Sequence, residues 1–398
     1  MQHYSEFSHD VNEHPQVFLD LNDFLRLSAV LNYQLSAKNI DWVSILSIIL
    51  ANKPIADHEK KILFMVFDYL SNVYGKKKRR LGPLSVLHPL RATALFTSMA
   101  DKLSLVELLT ILLHDNFEDI KPKNFLIANR QKLDAKFQTL ISHLDQSEKW
   151  YLMERLDWLT KEPLESYFSY IGRLLEKSAK TPEVVCVKLA DRLDNTLDIR
   201  IELEDPLREV NFFEIVFQMM FSNSYNGYKP KLPHHAPAAL NGAQRLFQLF
   251  KNTLLMSLVR QKKSAEESET AQRIFQYLAL ASMREAERIA LHIFGYHQKS
   301  ITETRQLMIE TMEYVQKGGI DFITPPGTGA RLDGLFMTIF DSTSKKIRHH
   351  KLSALYKDKS LMIEAAIAFI VIFLSFQNNS NFYLKGISEE GVKPMLFD

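Results

Sequence analysis

The 398-residue sequence has one cysteine, Cys186. An intrachain disulfide is therefore impossible, and so is a zinc cage built from thiolates. Any metal this chain holds must be held by histidine and carboxylate. Charge of one sign is also lacking. The formal net charge of +2 leaves no electrostatic footprint for bulk nucleic acid or for a membrane surface. Local basic runs such as "KKKRR" (76–80) stay available to a phosphorylated ligand. Long apolar runs are missing as well. The most apolar stretch, "AAIAFIVIFLSF" (365–376), follows Glu364 and falls short of the ~20 residues of a membrane-spanning helix. It reads as a buried helix. The N-terminal "MQHYSEFSHDVNEH" has no apolar centre and does not read as a signal peptide. A soluble, cytoplasmic protein without a membrane partner is expected. Apolar–polar alternation of period two is scarce, so no sizeable sheet is expected. Internal repeats and low-complexity tracts are not seen.

What the chain does have is helical periodicity. Apolar residues recur at three- and four-residue spacing in "HEKKILFMVFDYLSNVY" (58–74), "SLVELLTILLHDNFED" (104–119), "YFSYIGRLLEKSAK" (167–180) and "EIVFQMMFSNSY" (214–225). The fold class is all-α. One strong break is "SNSYNGYKPKLPHHAPAALNG" (222–242), where Pro230, Pro233 and Pro237 lie close together and remove the backbone donors a helix needs. A second is "KGGIDFITPPGTGARLDG" (317–334). These breaks divide the chain into a helical extension (1–54), a main helical domain (55–225), a linker or long loop (226–242) and a helical C-terminal region (243–398).

Three segments carry chemistry. "LLHDNFEDI" (112–120) sets His114, Asp115, Glu118 and Asp119 on roughly one side of a single helical turn. Three carboxylates that close repel one another unless a cation sits nearby. A solvated helix end is the plainer reading. "KKKRRLGPLSVLHPLRATALF" (76–96) places His88 and Pro89 at a helix start, where proline is tolerated. "VVCVKLADRLDNTLDI" (184–199) runs from an apolar lead-in into Asp191, Arg192, Asp194 and Asn195. A buried carboxylate needs a partner, and Asp191 and Asn195, one turn apart, face the same way. Together the segments supply His88, His114, Asp115 and Asp191, a mixed nitrogen and oxygen set suited to a divalent transition metal. Acids are left over for proton transfer.

The ordered set "HP", "LLHD" with "ED", and "KLADRL" with an asparagine resembles the signature of the HD-domain metal-dependent phosphohydrolases. It is closest to the hydrolase domain of the RelA/SpoT alarmone enzymes and to the small stand-alone alarmone hydrolases. Arg79 and Gly82 ahead of His88–Pro89 add to the likeness, which covers roughly residues 55 to 200. The resemblance implies an HD-domain helical bundle with an additional helical C-terminal region. It implies a manganese ion, or another divalent transition metal, held by His88, His114, Asp115 and Asp191. Glu118 and Asp119 would position or deprotonate the attacking water. Arg79 would contact substrate phosphates, with Lys188 and Asn195 lining the pocket. The implied reaction is removal of the 3′-pyrophosphate from guanosine 3′,5′-bis(diphosphate). Alternatives are the same chemistry on another nucleotide or dinucleotide phosphate, and a catalytically silent HD-fold regulatory or binding protein.

Departures from the family lie on the nucleoside side. Pro83, Leu84 and Ser85 follow the glycine, Asp194 stands where a histidine is usual, and Asp198 where a threonine is expected. The two acids are expected to add negative charge near a bound polyanion. "PPGTGAR" (325–331) lacks the lysine of a phosphate-binding loop and reads as an ordinary loop. His234–His235, His349–His350 and "KKIRHHK" (345–351) read as surface. Nothing after residue 240 resembles an alarmone synthetase. A protein partner of that region is an open expectation.

Overall fold

The computed structural model describes residues 21–37, 39–75, 77–79, 84–119, 127–200, 240–297, 300–341 and 344–394. Among these the fold is all-α. Ten helices precede residue 201: α1 (Leu21–Ser36), α2 (Trp42–Ile49), α3 (Asp57–Tyr74), α4 (Leu87–Met99), α5 (Leu105–Leu113), α6 (Asn116–Asp119), α7 (Ile127–Ile141), α8 (Gln146–Leu159), α9 (Tyr167–Lys177) and α10 (Pro182–Arg200). Five follow: α11 (Gly242–Gln261), α12 (Glu269–His297), α13 (Ile301–Gln316), α14 (Lys345–Lys357) and α15 (Lys359–Asn378). A π-helical turn occupies Phe336–Phe340. The described strands are β1 (Ile387–Ser388) and β2 (Gly391–Val392), an antiparallel pair.

Local sequence sets many of the helix starts. Ser104 and Glu107 form a reciprocal capping box ahead of α5, as do Asp145 with Glu148 for α8 and Asn241 with Gln244 for α11. Each satisfies backbone donors that the first helical turn leaves open. Of the expected linker, residues 226–239 lie outside the described residues, and its last two already cap and open α11. The helix expected at 214–225 and the histidines 234–235 also lie outside them.

α4 is buried on every side; all thirteen of its residues are shielded from solvent. Leu87, Leu90 and Ala94 join a core with α1, α2, α3, α5, α7 and α8. Ala92, Leu95 and Phe96 join a second core with α9, α10 and the C-terminal helices. α10 packs against α4 on one side and against α12 on another. Among the described residues the second core therefore runs from α4, α9 and α10 into the C-terminal helices. Leu90 and Leu95 are each 0% exposed, and burial of such a side chain stabilises by ~1.5–3 kcal/mol.

The apolar stretch at 365–376 belongs to a longer element than its composition indicated. It sits within the 20-residue α15, which by length and composition could cross a membrane. Ile363, Phe369, Ile372, Phe373 and Phe376 are buried in the shared core, and α12 is the main partner of the helix. The loop after α13 turns at Gly318 (φ 78°), and "PPGTGAR" is largely exposed.

Candidate metal centre

His88 stands one residue into α4, and Pro89 behind it needs no backbone donor there. His114 and Asp115 follow the end of α5. The sequence "LLHDNFED" carries no proline or glycine and reads as one continuous turn of helix. The chain instead leaves the helix at His114 and re-enters it at Asn116. The backbone N–H groups of Glu118 and Asp119 both donate to the Asp115 carbonyl, at 3.1 and 2.9 Å. His114 and Asp115 turn toward α4 and α10. Glu118 accepts from the Lys161 backbone N–H at 2.8 Å, and Asp119 is hydrogen-bonded to the Tyr74 hydroxyl.

His88, His114 and Asp115 converge with Asp191 of α10. His88 Nε2 lies 3.2 Å from His114 Nε2, 3.4 Å from Asp115 Oδ2 and 3.3 Å from Asp191 Oδ1. His114 Nε2 lies 3.4 Å from Asp115 Oδ2 and 3.8 Å from Asp191 Oδ1. Donors bound at ~2.0–2.2 Å to one ion, at tetrahedral or octahedral angles, stand roughly 2.8–3.6 Å apart. His88, His114 and Asp115 come close to that range, their ligand atoms all lying within 4.8 Å of one another, and Asp191 joins them through its approaches to the two histidines.

The ring protons support the same geometry. His88 Nδ1 donates to Asp194 Oδ2 at 2.6 Å, and His114 Nδ1 donates to the Ile111 carbonyl at 2.7 Å. An ionised carboxylate and a carbonyl can only accept, so both protons belong on Nδ1 and both Nε2 lone pairs face inward. Two lone pairs 3.2 Å apart and two carboxylates need a cation between them. Burial and Arg79 oppose protonation of His88, but Asp194, Asp115 and Asp191 push its pKa well above the ordinary histidine value. His114 is raised against the effect of burial, chiefly by Asp115. The carboxyl of Asp115 is held well below the usual range against burial by the two histidines. Asp191 is held there by Lys188 and the same histidines. The donor set fits a divalent ion of mixed nitrogen and oxygen preference.

A polar frame surrounds the four donors, and α10 supplies most of it. Lys188 Nζ donates to Asp191 Oδ2 at 2.8 Å, and Asn195 Nδ2 donates to Asp191 Oδ1 at 2.5 Å. Arg79 donates to Asn195 Oδ1 at 2.5 Å and to Asp194 Oδ2 at 3.3 Å, and its Nε faces Asp198 Oδ2 at 3.5 Å. Behind them lies Arg91, 0% exposed. It donates to both oxygens of Asp194, at 2.8 and 3.1 Å, and to Asp198 Oδ1 at 2.7 Å. Its guanidinium stacks 4.8 Å from the Phe24 ring centroid of α1. Against burial, Arg91, His88 and Arg79 hold the Asp194 pKa at about 2.

This frame corrects one expectation. Asp194 and Asp198 do not present negative charge to a bound polyanion. They are buried and face Arg91 and Arg79, which neutralise them. Arg91 itself escaped the sequence reading. Its signal was a formally charged residue three positions after His88 in a helix with no other lysine, arginine or carboxylate. Gly82 and Pro83 lie outside the described residues.

Residues 86–196 match the HD domain, a family whose members are generally metal-dependent hydrolases. That match spans all four inward donors. Neither the curated proteins nor the solved structures provide a match to the chain.

Proposed function

We propose that the protein is a metal-dependent pyrophosphohydrolase of a phosphorylated nucleotide, with guanosine 3′,5′-bis(diphosphate) as the leading substrate. The observation that carries the reading is the meeting of His88, His114, Asp115 and Asp191, with both imidazole Nδ1 atoms already engaged. A divalent ion there, manganese or a similar metal, would supply Lewis acidity toward a phosphoryl oxygen and lower the pKa of water. His88, His114, Asp115 and Asp191 would hold it. Glu118 and Asp119, one turn past the ligand pair, orient the attacking water and accept its proton. Glu118 is steadied for this by the Lys161 N–H. Lys188 and Asn195 keep Asp191 ionised and aimed.

A second reading, the same reaction on another phosphate ester, is favoured by Arg79. Its guanidinium is turned onto Asn195, Asp194 and Asp198 rather than left open for a phosphate. Catalytic silence is disfavoured by the full donor set and by the adjacent acids.

The test is purified protein with manganese against a panel of phosphorylated nucleotides that includes guanosine 3′,5′-bis(diphosphate). Pyrophosphate release is expected, abolished in Asp115→Ala and reduced by roughly 10²–10⁴-fold in Glu118→Ala. Turnover of a different panel member alone would select the second reading. Metal binding without any turnover would sink both.

A further inference from the structure

α9 reaches both halves of the metal site through one side chain. Tyr170 is 2% exposed. Its hydroxyl donates to the Leu159 carbonyl at 2.5 Å. The ammonium of Lys188, the partner of Asp191, lies 5.1 Å from the Tyr170 ring centroid. Burial raises the hydroxyl pKa above the ordinary tyrosine value, with Lys188 opposing it, so the oxygen keeps a proton to donate.

Leu159 ends α8, and the last carbonyls of a helix have no partner within it. Here each finds one. Thr160 Oγ1 donates to the Leu156 carbonyl at 2.7 Å, and the Thr160 N–H to that of Asp157 at 3.1 Å. Arg173 of α9 faces the Trp158 carbonyl at 3.5 Å and donates to the Thr160 carbonyl at 2.9 Å. Glu165 holds the Arg173 guanidinium through both oxygens, at 2.7 and 2.8 Å, and the guanidinium lies 5.6 Å from the Tyr170 ring centroid. The next backbone donor, the Lys161 N–H, meets Glu118 at 2.8 Å. A shift in the end of α8 would carry that donor away from Glu118.

We propose that Tyr170 is a positioning residue that sets Asp191 and Glu118 relative to each other. Its ring steadies Lys188 and through it Asp191; its hydroxyl steadies the Leu159–Lys161 turn and through it Glu118. That Glu118 acts as a base rests on the hydrolase reading; the clamp on the Lys161 N–H does not.

Tyr170→Phe keeps the ring and removes the hydroxyl. In the metal-free full chain, deuterium exchange of the Lys161 amide, read by NMR, is expected to quicken about fivefold or more, the equivalent of one lost hydrogen bond. Manganese affinity by calorimetry is expected to stay unchanged. Tyr170→Leu removes the ring as well and is expected to lower that affinity about threefold or more, as loss of a cation–π contact does. With a nucleotide that the parent hydrolyses, Tyr170→Phe is expected to lower kcat by roughly 10–100-fold at unchanged KM. In a Glu118→Ala background the same substitution is expected to cost less than about twofold, because the group it positions is gone. Full additivity there would mark a general loosening of the fold and overturns the proposal. Unchanged Lys161 exchange in Tyr170→Phe overturns it too, as does equal manganese affinity in Tyr170→Phe and Tyr170→Leu. Tyr170→Phe decides alone where Tyr170→Leu does not fold. If exchange and affinity respond as expected but no nucleotide is hydrolysed, the clamp stands and the hydrolase reading falls. Hydrolysis with a kcat indifferent to Tyr170→Phe sinks the clamp and leaves the hydrolase reading in place.

Discussion

Arg91→Met tests how the metal site is held. Methionine nearly matches the arginine stem in volume but removes a guanidinium that makes three charge-assisted bonds, at 2.7, 2.8 and 3.1 Å, to Asp194 and Asp198. Those carboxylates are then left with Arg79, at 3.3 and 3.5 Å, and with the His88 ring. Breaking a buried ion pair from one side costs ~3–5 kcal/mol, because the remaining charge stays desolvated. The loss of the Phe24 stack adds ~0.5–2 kcal/mol. Urea unfolding followed by circular dichroism should therefore show a loss of about 3.5–7 kcal/mol. Asp194 also fixes the His88 ring, so calorimetric manganese affinity should fall by roughly 10–100-fold. Adding Asp194→Asn removes the stranded charge while its amide oxygen still accepts from His88 Nδ1. The double variant should be more stable than Arg91→Met alone, with a coupling of ~0.5–3 kcal/mol. A stability loss below about 1 kcal/mol with unchanged manganese affinity would refute the reasoning.

Three further outcomes follow from other parts of the fold. Asp194→Asn should preserve manganese affinity far better than Asp194→Ala, because only the asparagine keeps an acceptor for His88 Nδ1; equal losses by calorimetry would remove the orienting role. Cys186 is buried, and burial pushes its thiol up to about 12, so a thiol reagent should label the native protein only at its unfolding rate; rapid stoichiometric labelling of folded protein would contradict this. Burial raises the Glu364 pKa from 4.5 to about 7, with Arg331 opposing it and Glu310 and Asp358 adding to it. The folded chain then binds more protons than the unfolded chain between those values, so this residue's contribution is full at low pH and lost as pH rises through about 7. Melting temperatures of the parent should fall relative to Glu364→Gln across that window, and parallel curves would disprove the assignment.

The helices were legible because their signals are local. Spacing of apolar residues marked α3 and α9, and capping pairs such as Ser104–Glu107 mark starts within four residues. The candidate ligands were legible for another reason: histidines and acids stand out at the ends of apolar runs. What the sequence hid depends on distant partners. Asp194 and Asp198 read as added negative charge because Arg91 and Arg79 lie more than a hundred residues earlier in the chain. The exit from helix at His114 carries no proline or glycine to announce it. Arg348 sits in a run that reads as solvated surface, and only the fold turns it onto Phe247. The length of α15 was obscured because its charged and polar ends blend into ordinary surface composition.

α10 serves several directions at once. Lys188, Asp191 and Asn195 form one stripe along it, Asp194 and Asp198 a second, and Arg192 and Thr196 a third that engages Asn252 of α11. Asn252 in turn donates to Ser282 of α12. Beyond them the carbonyl of Ile199 accepts from both Arg245 and Arg288. The stretch that matches the HD domain ends at residue 196, inside this helix. Cutting the chain there would sever the Ile199 clamp and bare the apolar flank that meets α12, so the matched stretch alone is expected to lose the packing that holds α10. The matched stretch and the packed core have different edges, and a truncation meant to keep α10 in place should retain the C-terminal helices as well as α4.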